Sequence, residues 1–572
     1  MIDVNNALER IPALNRNTIA QKPAKALLSY LLHEKEFKEF GSRYPHLEGL
    51  EFIEQVFNFF DFGYKVLDHH KERIPVTGKV VIIANHPLGS LDGLALLKLV
   101  REVRPDAKIV ANDWLMEIER LHSMFLPVKV MGEKGNNRSN TTAILDYLAE
   151  DGAVIIFPAG EVSRIRPYGV RDTKWHSGFV RIATAAEAPI LPIHIDGRNS
   201  TLFYSASMVY KPLATMLLVK EMFKHQSSHI DIKIGDLIPY ESFSGDQLTL
   251  QGKVKLFKRH LYRIPKKKPP LFKTQTPVAH PENRSLLLQE LRDDAELLGE
   301  THDGKQIYVL ENLTSSAILR EIGRLREIAY RAVGEGAGSR RDIDHYDSYY
   351  YHLVLWDKSD LEIVGAYRLA DAKLSHDPEK TGGLYTQTLF DYAPEMQEYT
   401  SEGLELGRSF VQPKYWGKRS LEYLWIGIGA FLRSRPHYRY LFGPVSMTNA
   451  FPQPAKELIV ELYKKHYGDN RGVVKAKVPF IATAQHEALR ANLNGKTYIE
   501  DLTTAKALLA NMGISIPTLY KQYSELCEPG GVKFLDFGID PTFSDSIDGF
   551  VMVDVNKMKT RKYNRYIAGN YR

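Results

Sequence analysis

Three short, wholly apolar runs punctuate the first half of the chain, and each empties into a polar loop. Val80-Val81-Ile82-Ile83-Ala84 leads into NHPLGSLD (85–92), Ala153-Val154-Ile155-Ile156 into FPAGEVSR (157–164), and Ala188-Pro189-Ile190-Leu191-Pro192-Ile193 into HIDGRNS (194–200). Continuous apolar runs separated by amphipathic stretches read as buried parallel strands joined by crossover helices, and such sheets hold ligands beyond the carboxyl ends of their strands. The three loops are therefore expected to converge on one cleft. From Gly78 to about Asp236 strand and helix patterns alternate, which predicts an α/β domain with a mostly parallel sheet.

The first seventy residues read as helical, with Leu27, Leu28, Leu31 and Leu32 on one face. FIEQVFNFFDFGYKVL (52–67) is apolar around too much of its circumference for a lone surface helix, so it either packs into the core or lies in a membrane interface. Around PKKKPPLFKTQTPVAHPEN (265–283) prolines and polar residues displace the periodicity and mark a linker. Beyond it the pattern changes to a helix (Ser315 to Val333), a polar loop, the strand pair HLVLWD (352–357) and LEIVGAYRLA (361–370), and further helix. The expected division is a first domain over 1–264 (helical 1–72, α/β 73–264), a basic Pro-rich linker over 265–290 and a second α/β domain over 291–572.

Composition narrows the function classes. At 572 residues the chain exceeds one ordinary core of roughly 100–200 residues, and 44% hydrophobic with 25% charged residues is the balance of a globular enzyme. The single cysteine, Cys527, excludes an internal disulfide or a thiolate metal cluster and fits a reducing cytoplasm. MIDVNNALERIP lacks the apolar core of a secretory signal, and LEYLWIGIGAFL (421–432) falls short of the roughly 20 apolar residues of a membrane span, so it reads as a core helix. A net charge of +6 favours acidic partners, either anionic lipid or an acidic carrier protein. The basic stretch KVKLFKRHLYRIPKKKPP (253–270) suits a phosphate-rich membrane surface or a solvated linker. Nucleic acid is disfavoured, because the basic residues cluster in a Pro-rich linker rather than along a helix or an aromatic sheet.

The first candidate site is His86 with Asp92. Six residues apart on one helix they would point about 240° apart, so they meet only with His86 in the turn and Asp92 in the first helical turn, a bend that Pro87 and Gly89 permit. The carboxylate would then hold one imidazole nitrogen while the other accepts a proton from an alcohol, the general-base arrangement of acyl transfer; a purely structural hydrogen bond is the alternative. No metal-ligand spacing surrounds the pair. In order and spacing, NHPLGSLD, FPAGEVSR and ILPIHIDG resemble the blocks of the glycerolipid acyltransferase family, over about residues 75–240. Two departures stand out: five residues rather than four separate His86 and Asp92, and the family's FPEG is FPAGE, with Glu161 displaced by two positions. The resemblance implies that Gly160 and Glu161 shape the acceptor site and that Ser163 and Arg164 make polar contacts there; Glu161 as a cap on the next helix is the alternative. LPVKVMGEKG (126–135) offers only Lys129 and Lys134, so Arg164 is the clearest phosphate candidate and the implied acceptor is a hydroxylated lipid without a phosphate head. Trp175, His176 and Gly178 are expected to begin the following helix without a chemical role.

Four pieces carry the second site: RLREIAYRAV (324–333), RDIDHYD (341–347), EIVGAYRL (362–369) and LELGRSFVQPKYWGKRSLEYLW (404–425). In this order they resemble the acyl-carrier-dependent N-acyltransferases related to the autoinducer synthases, a branch of the acetyltransferase-like fold. The tail 517–555 further resembles ornithine N-acyltransferases. Val411 to Lys414 should leave a strand and Trp416-Gly417-Lys418-Arg419-Ser420 should open a helix, presenting free N–H groups and positive charge to the phosphate of a phosphopantetheine arm. Glu405 and Arg408 fall on opposite faces of an extended segment unless a bulge intervenes at Gly407. Glu405 is the favoured group for deprotonating an attacking α-amine. Arg408 is a substrate contact or a structural ion-pair partner, and Arg368 is a further substrate-binding candidate. Asp342, Asp344 and Asp347 either bind an amino-acid ammonium or form a solvated acidic loop. Cys527 has no His nearby in sequence and reads as inert packing, which leaves direct transfer.

As a whole the chain resembles the bifunctional ornithine-lipid synthases. The implied fold is two-domain α/β, a glycerolipid-acyltransferase-type domain followed by an acetyltransferase-like domain. The implied activity is transfer of a 3-hydroxyacyl group from acyl carrier protein to the α-amine of ornithine, or of glycine or another amino acid, by the second domain. The first domain then esterifies the 3-hydroxyl. The donor is a phosphopantetheine thioester, no cofactor is held, and the chain is expected in the cytoplasm, peripheral on the inner membrane. The rival reading joins a lysophosphatidate acyltransferase to an unrelated acetyltransferase or to a non-catalytic docking module.

Overall fold

The computed structural model describes residues 33–569 save 90, 112–115, 117, 128–136, 167–168, 210, 226–227, 312, 376–381 and 484–489. The expected leucine face at 27–32 and the two lysines at 129 and 134 lie outside the described residues. The chain divides into two compact units, Met1–Pro277 and Val278–Arg572, at a point inside the stretch 265–290. That stretch is not a free tether. Phe272 is buried against Phe257, and Gln275 bridges to Leu237 in the first unit. In the second unit Ala279 N–H donates to Arg340 and a helix runs from Arg284 to Asp294.

The first unit is built on a seven-stranded sheet. In chain order its strands are β1 (Gly63–Lys65), β2 (Val80–Ala84), β3 (Lys108–Ala111), β4 (Phe125–Pro127), β5 (Ala153–Ile156), β8 (Ile190–Asp196) and β9 (His229–Ile234), with β6 (Arg164–Arg166) and β7 (Gly169–Arg171) forming a separate hairpin. The spatial order is β1-β9-β8-β2-β5-β3-β4, and only the β8–β9 pair is antiparallel. The three apolar runs are the neighbours β8, β2 and β5, so their carboxyl ends open side by side. Helices cover both faces, which is why β2 and β5 are buried along their whole length.

Two sequence expectations are corrected here. Residues 52–67 are not one helix: the helix Gly49–Phe60 stops where Asp61 turns left-handed (φ 43°), and the chain returns as β1, paired parallel to β9. Its Ile53, Val56, Phe57 and Phe60 enter the core. The first half of the basic stretch 253–270 is neither linker nor free surface, because Leu250–Leu261 is a helix, N-capped by Thr249, that buries Val254, Phe257 and Leu261.

The second unit is a mixed sheet of eight strands: β10 (Glu296–Glu300), β11 (Gln306–Leu310), β12 (Tyr351–Asp357), β13 (Glu362–Asp371), β15 (Gly403–Val411), β16 (Tyr440–Met447), β18 (Val532–Asp540) and β19 (Ser546–Asp554). Beside it lies the small pair β14 (Phe390–Tyr392) and β17 (Val474–Ala476). The spatial order is β10-β11-β12-β13-β15-β16-β19-β18, antiparallel except for β15–β16. That parallel pair holds only over Gly403–Glu405 against Tyr440–Phe442, and the two strands then part, β15 following β13 and β16 following β19. The segment LEYLWIGIGAFL lies within the core helix Ser420–Ser434. Among the described residues no helix is long and apolar enough to cross a membrane.

Candidate active sites

The loop after β2 is fastened to both neighbouring loops. The Asn85 amide exchanges two hydrogen bonds of 2.8 Å with the backbone of Ile195 on β8. Ser163 N–H donates to the His86 carbonyl at 2.8 Å, and the Asn199 amide donates to the carbonyls of Pro87 and Leu88. The three loops therefore meet, as the strand pattern implied. Gly89 completes the bend at φ 107°, where a Cβ would lie 2.8 Å from Val162.

Asp92 sits in the first turn of the helix Leu91–Arg101, fully buried. Its carboxylate accepts from the backbone N–H of Leu88 (2.9 Å), Gly89 (3.0 Å) and Gly93 (3.0 Å) and lies 3.1 Å from His86 Nδ1. An ionised carboxylate only accepts, so Nδ1 carries the ring proton and Nε2 keeps its lone pair. The ring stacks on Phe157 at 4.2 Å and leaves 16% of the side chain exposed. Burial works against the imidazolium, but the charge and hydrogen bond of Asp92 outweigh it and raise the His86 pKa above its ordinary value. Burial likewise opposes the Asp92 carboxylate, and His86 together with the backbone donors holds its pKa below the usual range.

Behind this pair stands Asp172, which the sequence reading missed. One oxygen accepts from Ser163 Oγ (2.5 Å) and His86 N–H (3.2 Å), the other from Trp175 Nε1 (2.8 Å). Its own N–H donates to Tyr262 OH, and its carbonyl accepts from Lys258 on the helix Leu250–Leu261. Ser163 is therefore buried and turned toward Asp172 rather than toward an acceptor. Glu161 accepts from Thr173 Oγ1 (2.6 Å) and lies 3.5 Å from Arg164, while Ser177 occupies the cap position of the next helix, which begins at Gly178 after Trp175 and His176. Gly160 is exposed, with φ 62°. Arg164 rests over Phe203 at the mouth of the second loop.

In the second unit a cavity of about 90 Å³ opens where β15 and β16 part, lined among others by Arg408, Tyr367, Tyr385, Asp540, Asp548 and Glu335. A bulge places Arg408 here. The partners of β13 jump from Ala366↔Phe410 to Arg368↔Gly407, and Arg408 itself is left-handed at φ 49°. The bulge allowed for at Gly407 is present, but it does not bring Glu405 to the cavity beside Arg408. Glu405 does not line the cavity, a correction to its expected place. It is buried behind the wall, accepting from Thr386 Oγ1 (2.9 Å) and Tyr350 OH (3.4 Å), and burial pushes its pKa up to about 7.

The three aspartates of RDIDHYD form neither a solvated loop nor a free ammonium trap. Asp347 meets Arg326 at 2.7 Å and Arg368 at 3.1 Å, Asp344 meets Arg368 at 2.5 Å, and Asp342 meets Arg408 at 3.4 Å. Their charges are matched by guanidinium groups that need a counter-charge to be buried at all. The helix Ser420–Ser434 starts without a side-chain cap, preceded by Gly417 at φ 74°. Trp416 is 46% exposed, Lys418 lies over Tyr415, and Arg419 is forked onto Glu422 at 3.0 Å, so Lys418 is the charge at this helix start without an ion-pair partner among the described residues.

Comparison with known proteins follows the same division. Residues 7–266 match the family described as Acyltransferase, and residues 325–426 match the acetyltransferase (GNAT) domain. The chain is similar to a glycine N(alpha)-acyltransferase of Bacteroides thetaiotaomicron, 31% identical over 51% of this chain and 89% of that protein. It is similar to a lyso-glycine lipid O-acyltransferase of Phocaeicola vulgatus, 29% identical over 39% of this chain and 81% of that protein. An L-ornithine N(alpha)-acyltransferase of Rhizobium meliloti is 26% identical over 43% of this chain and 77% of that protein.

Proposed function

We propose, from the premise that the chain belongs to the acyltransferases and joins an acyltransferase domain to a GNAT domain, that it builds a doubly acylated amino-acid lipid in two steps. The second unit transfers a 3-hydroxyacyl group from the phosphopantetheine thioester of acyl carrier protein to the α-amine of an amino acid. The first unit then esterifies the 3-hydroxyl with a second acyl chain. Relatives named for both half-reactions support the pairing, and the product of the first step is the alcohol that the second requires.

The observation that carries the O-acylation step is the buried Asp92 carboxylate, pinned by three backbone N–H groups and holding His86 Nδ1, which leaves Nε2 to take the proton of an incoming hydroxyl. The attacking oxygen closes on the thioester carbon, the thiol leaves, and the imidazolium returns the proton. Asp172 fixes the histidine backbone rather than its ring. Ile165 and Leu202, exposed directly after the second and third loops, and Arg166 beside them support docking on the anionic cytoplasmic face of the inner membrane. For the acceptor, the small cavity and the glycine relatives support a reading with glycine ahead of ornithine, and with Arg408 as the contact for its carboxylate. The open start of the helix Ser420–Ser434, with Trp416, Gly417, Lys418, Arg419 and Ser420, receives the phosphate of the pantetheine arm.

The test is mass spectrometry of lipids from a host that lacks such lipids. The parent chain should yield the doubly acylated lipid, and His86→Ala should stop at the single-chain N-acyl amino acid. Glycerophospholipid products alone would overturn the proposal in favour of a lysophosphatidate acyltransferase.

A further inference from the structure

The acids of the second unit fall into two sets. Asp342, Asp344 and Asp347 are all ion-paired. Asp548 of β19 and Glu335, in the loop after the helix Ala317–Arg331, line the cavity between the parted strands and have no ion pair among the described residues. The third cavity acid, Asp540, is satisfied by Tyr385 OH (2.7 Å) and by Thr542 N–H (2.8 Å) and Oγ1 (2.6 Å). Asp548 is 2% exposed and is met by hydroxyls alone, those of Ser446 and of Ser546, the latter at 3.5 Å. The hydroxyl of Tyr367, 1% exposed, lines the same cavity beside Ser409 and Tyr523. Two carboxyls in one cavity, Asp548 buried and Glu335 half-buried, neither held in an ion pair among the described residues, describe a pocket built for a ligand that brings positive charge and N–H donors.

We infer that Asp548 and Glu335 receive the α-ammonium of the acceptor amino acid and take the proton it must lose before attack. The inference rests on the N-acylation reading above. Burial pushes both carboxyls up to about 7, with Asp548 adding to the rise at Glu335, so at neutral pH the pair is poised between taking and releasing a proton. The charged and titratable groups facing Asp548 are Asp540, Glu335, Arg408, Tyr385 and Tyr520. In the step, one ammonium proton passes to Asp548 and the free amine nitrogen bonds to the thioester carbon. The C–S bond then breaks, the thiolate takes a second proton from the nitrogen, and the amide keeps the third. The proton on the acid pair leaves through the cavity, so one proton is released per turnover.

The experiment measures thiol release from 3-hydroxyacyl carrier protein by the full chain with two acceptors, glycine and aminooxyacetate, whose amino group is already neutral at pH 7. Asp548→Asn should lower kcat/KM for glycine by about 100-fold yet change that for aminooxyacetate by less than about 5-fold. Glu335→Gln removes a like charge, so it should move the acid limb of the glycine profile to lower pH; this half-buried site keeps the test readable should Asp548→Asn not fold. Equal losses on both acceptors, or glycine turnover within about 3-fold of the parent in Asp548→Asn with an unmoved limb in Glu335→Gln, would overturn the assignment. A parent chain that acylates no amino acid at all would instead overturn the N-acylation reading beneath it.

Discussion

Replacing Asp172 by Asn separates what positions His86 from what merely fills the core. The parent carboxylate serves three donors, Ser163 Oγ, His86 N–H and Trp175 Nε1–H. Asn keeps one acceptor oxygen, which best faces Trp175, whose N–H cannot reverse; the Ser163 hydroxyl can turn and accept from the new amide. The His86 N–H is then left facing an NH2 group. One lost hydrogen bond with an unsatisfied donor costs about 1–3 kcal/mol. Removing the buried charge offsets part of this, because burial raises the Asp172 pKa. Net destabilisation should therefore stay below about 2 kcal/mol, whereas Asp172→Ala strands all three donors at about 1–3 kcal/mol each and threatens a fold worth only about 5–15 kcal/mol. Catalysis should suffer more than stability, since a shift of about 1 Å in a reacting group costs on the order of 100-fold. The assay follows O-acylation of an N-acyl amino acid, with N-acylation by the same chain as internal reference. Asp172→Asn should lower kcat for O-acylation about 10–100-fold and spare N-acylation. Loss of the Asp172 charge also withdraws one support of the His86 imidazolium, so the acid limb should move to lower pH. O-acylation within about 3-fold of the parent, or parallel loss of both activities, would refute the reasoning.

Two other outcomes follow from the titrating groups. Because Asp92 raises the His86 pKa and a general base must be neutral, O-acylation should fall on the acid side with a limb above the ordinary histidine value of 6.5, and Asp92→Asn should both shift that limb downward and cost about 100–10,000-fold, read from a pH–rate profile. Glu405 has its pKa raised from 4.5 to about 7 in the fold, so its contribution to stability is present below pH 4.5 and lost as pH rises through about 7, a change of about 3 kcal/mol; urea unfolding at pH 5 and pH 8 should show a decline to which Asp548 and Glu335 also add, and Glu405→Gln should shrink it without abolishing it.

How much of this was legible depended on the range of the contact. The strands β2, β5 and β8 and the meeting of their loops were readable because continuous apolar runs admit few alternatives and parallel neighbours must open at the same end. His86 with Asp92 was readable because the contact is local, one turn joining a strand to a helix. Asp172 was not: its partners at Ser163 and Trp175 lie in blocks that stand out in the sequence, but nothing in RDTKWHSG says that the carboxylate turns inward. Signals of that kind exist only as a surplus of buried donors, which requires coordinates. The aspartates of RDIDHYD misled for the complementary reason. An acidic loop looks solvated until Arg326, Arg368 and Arg408 arrive from three other elements. Helix and strand in residues 52–67 were confused because an all-round apolar run fits either, and the left-handed Asp61 that divides them has no strong residue signature.

Under the proposed chemistry the two sites solve one problem in opposite ways. Each must hold a base that is deprotonated at rest and protonated during attack, in a place dry enough to exclude water from a thioester. In the first unit the base is a neutral imidazole, and the protein invests in its charged form: a buried carboxylate, itself saturated by backbone N–H groups, raises the pKa of His86 against the pull of burial. In the second unit no carboxylate partner is needed, because burial first, and then the crowding of Asp540, Asp548 and Glu335 in one cavity, lifts Asp548 and Glu335 from the usual carboxylate range to the neutral range. The acceptors explain the difference. A hydroxyl arrives uncharged and leaves the base positive, so the base requires a standing counter-charge. An ammonium arrives positive and leaves the base neutral, so here a standing counter-charge would hinder, and the ion-paired Asp342, Asp344 and Asp347 beside the cavity are by that argument structural.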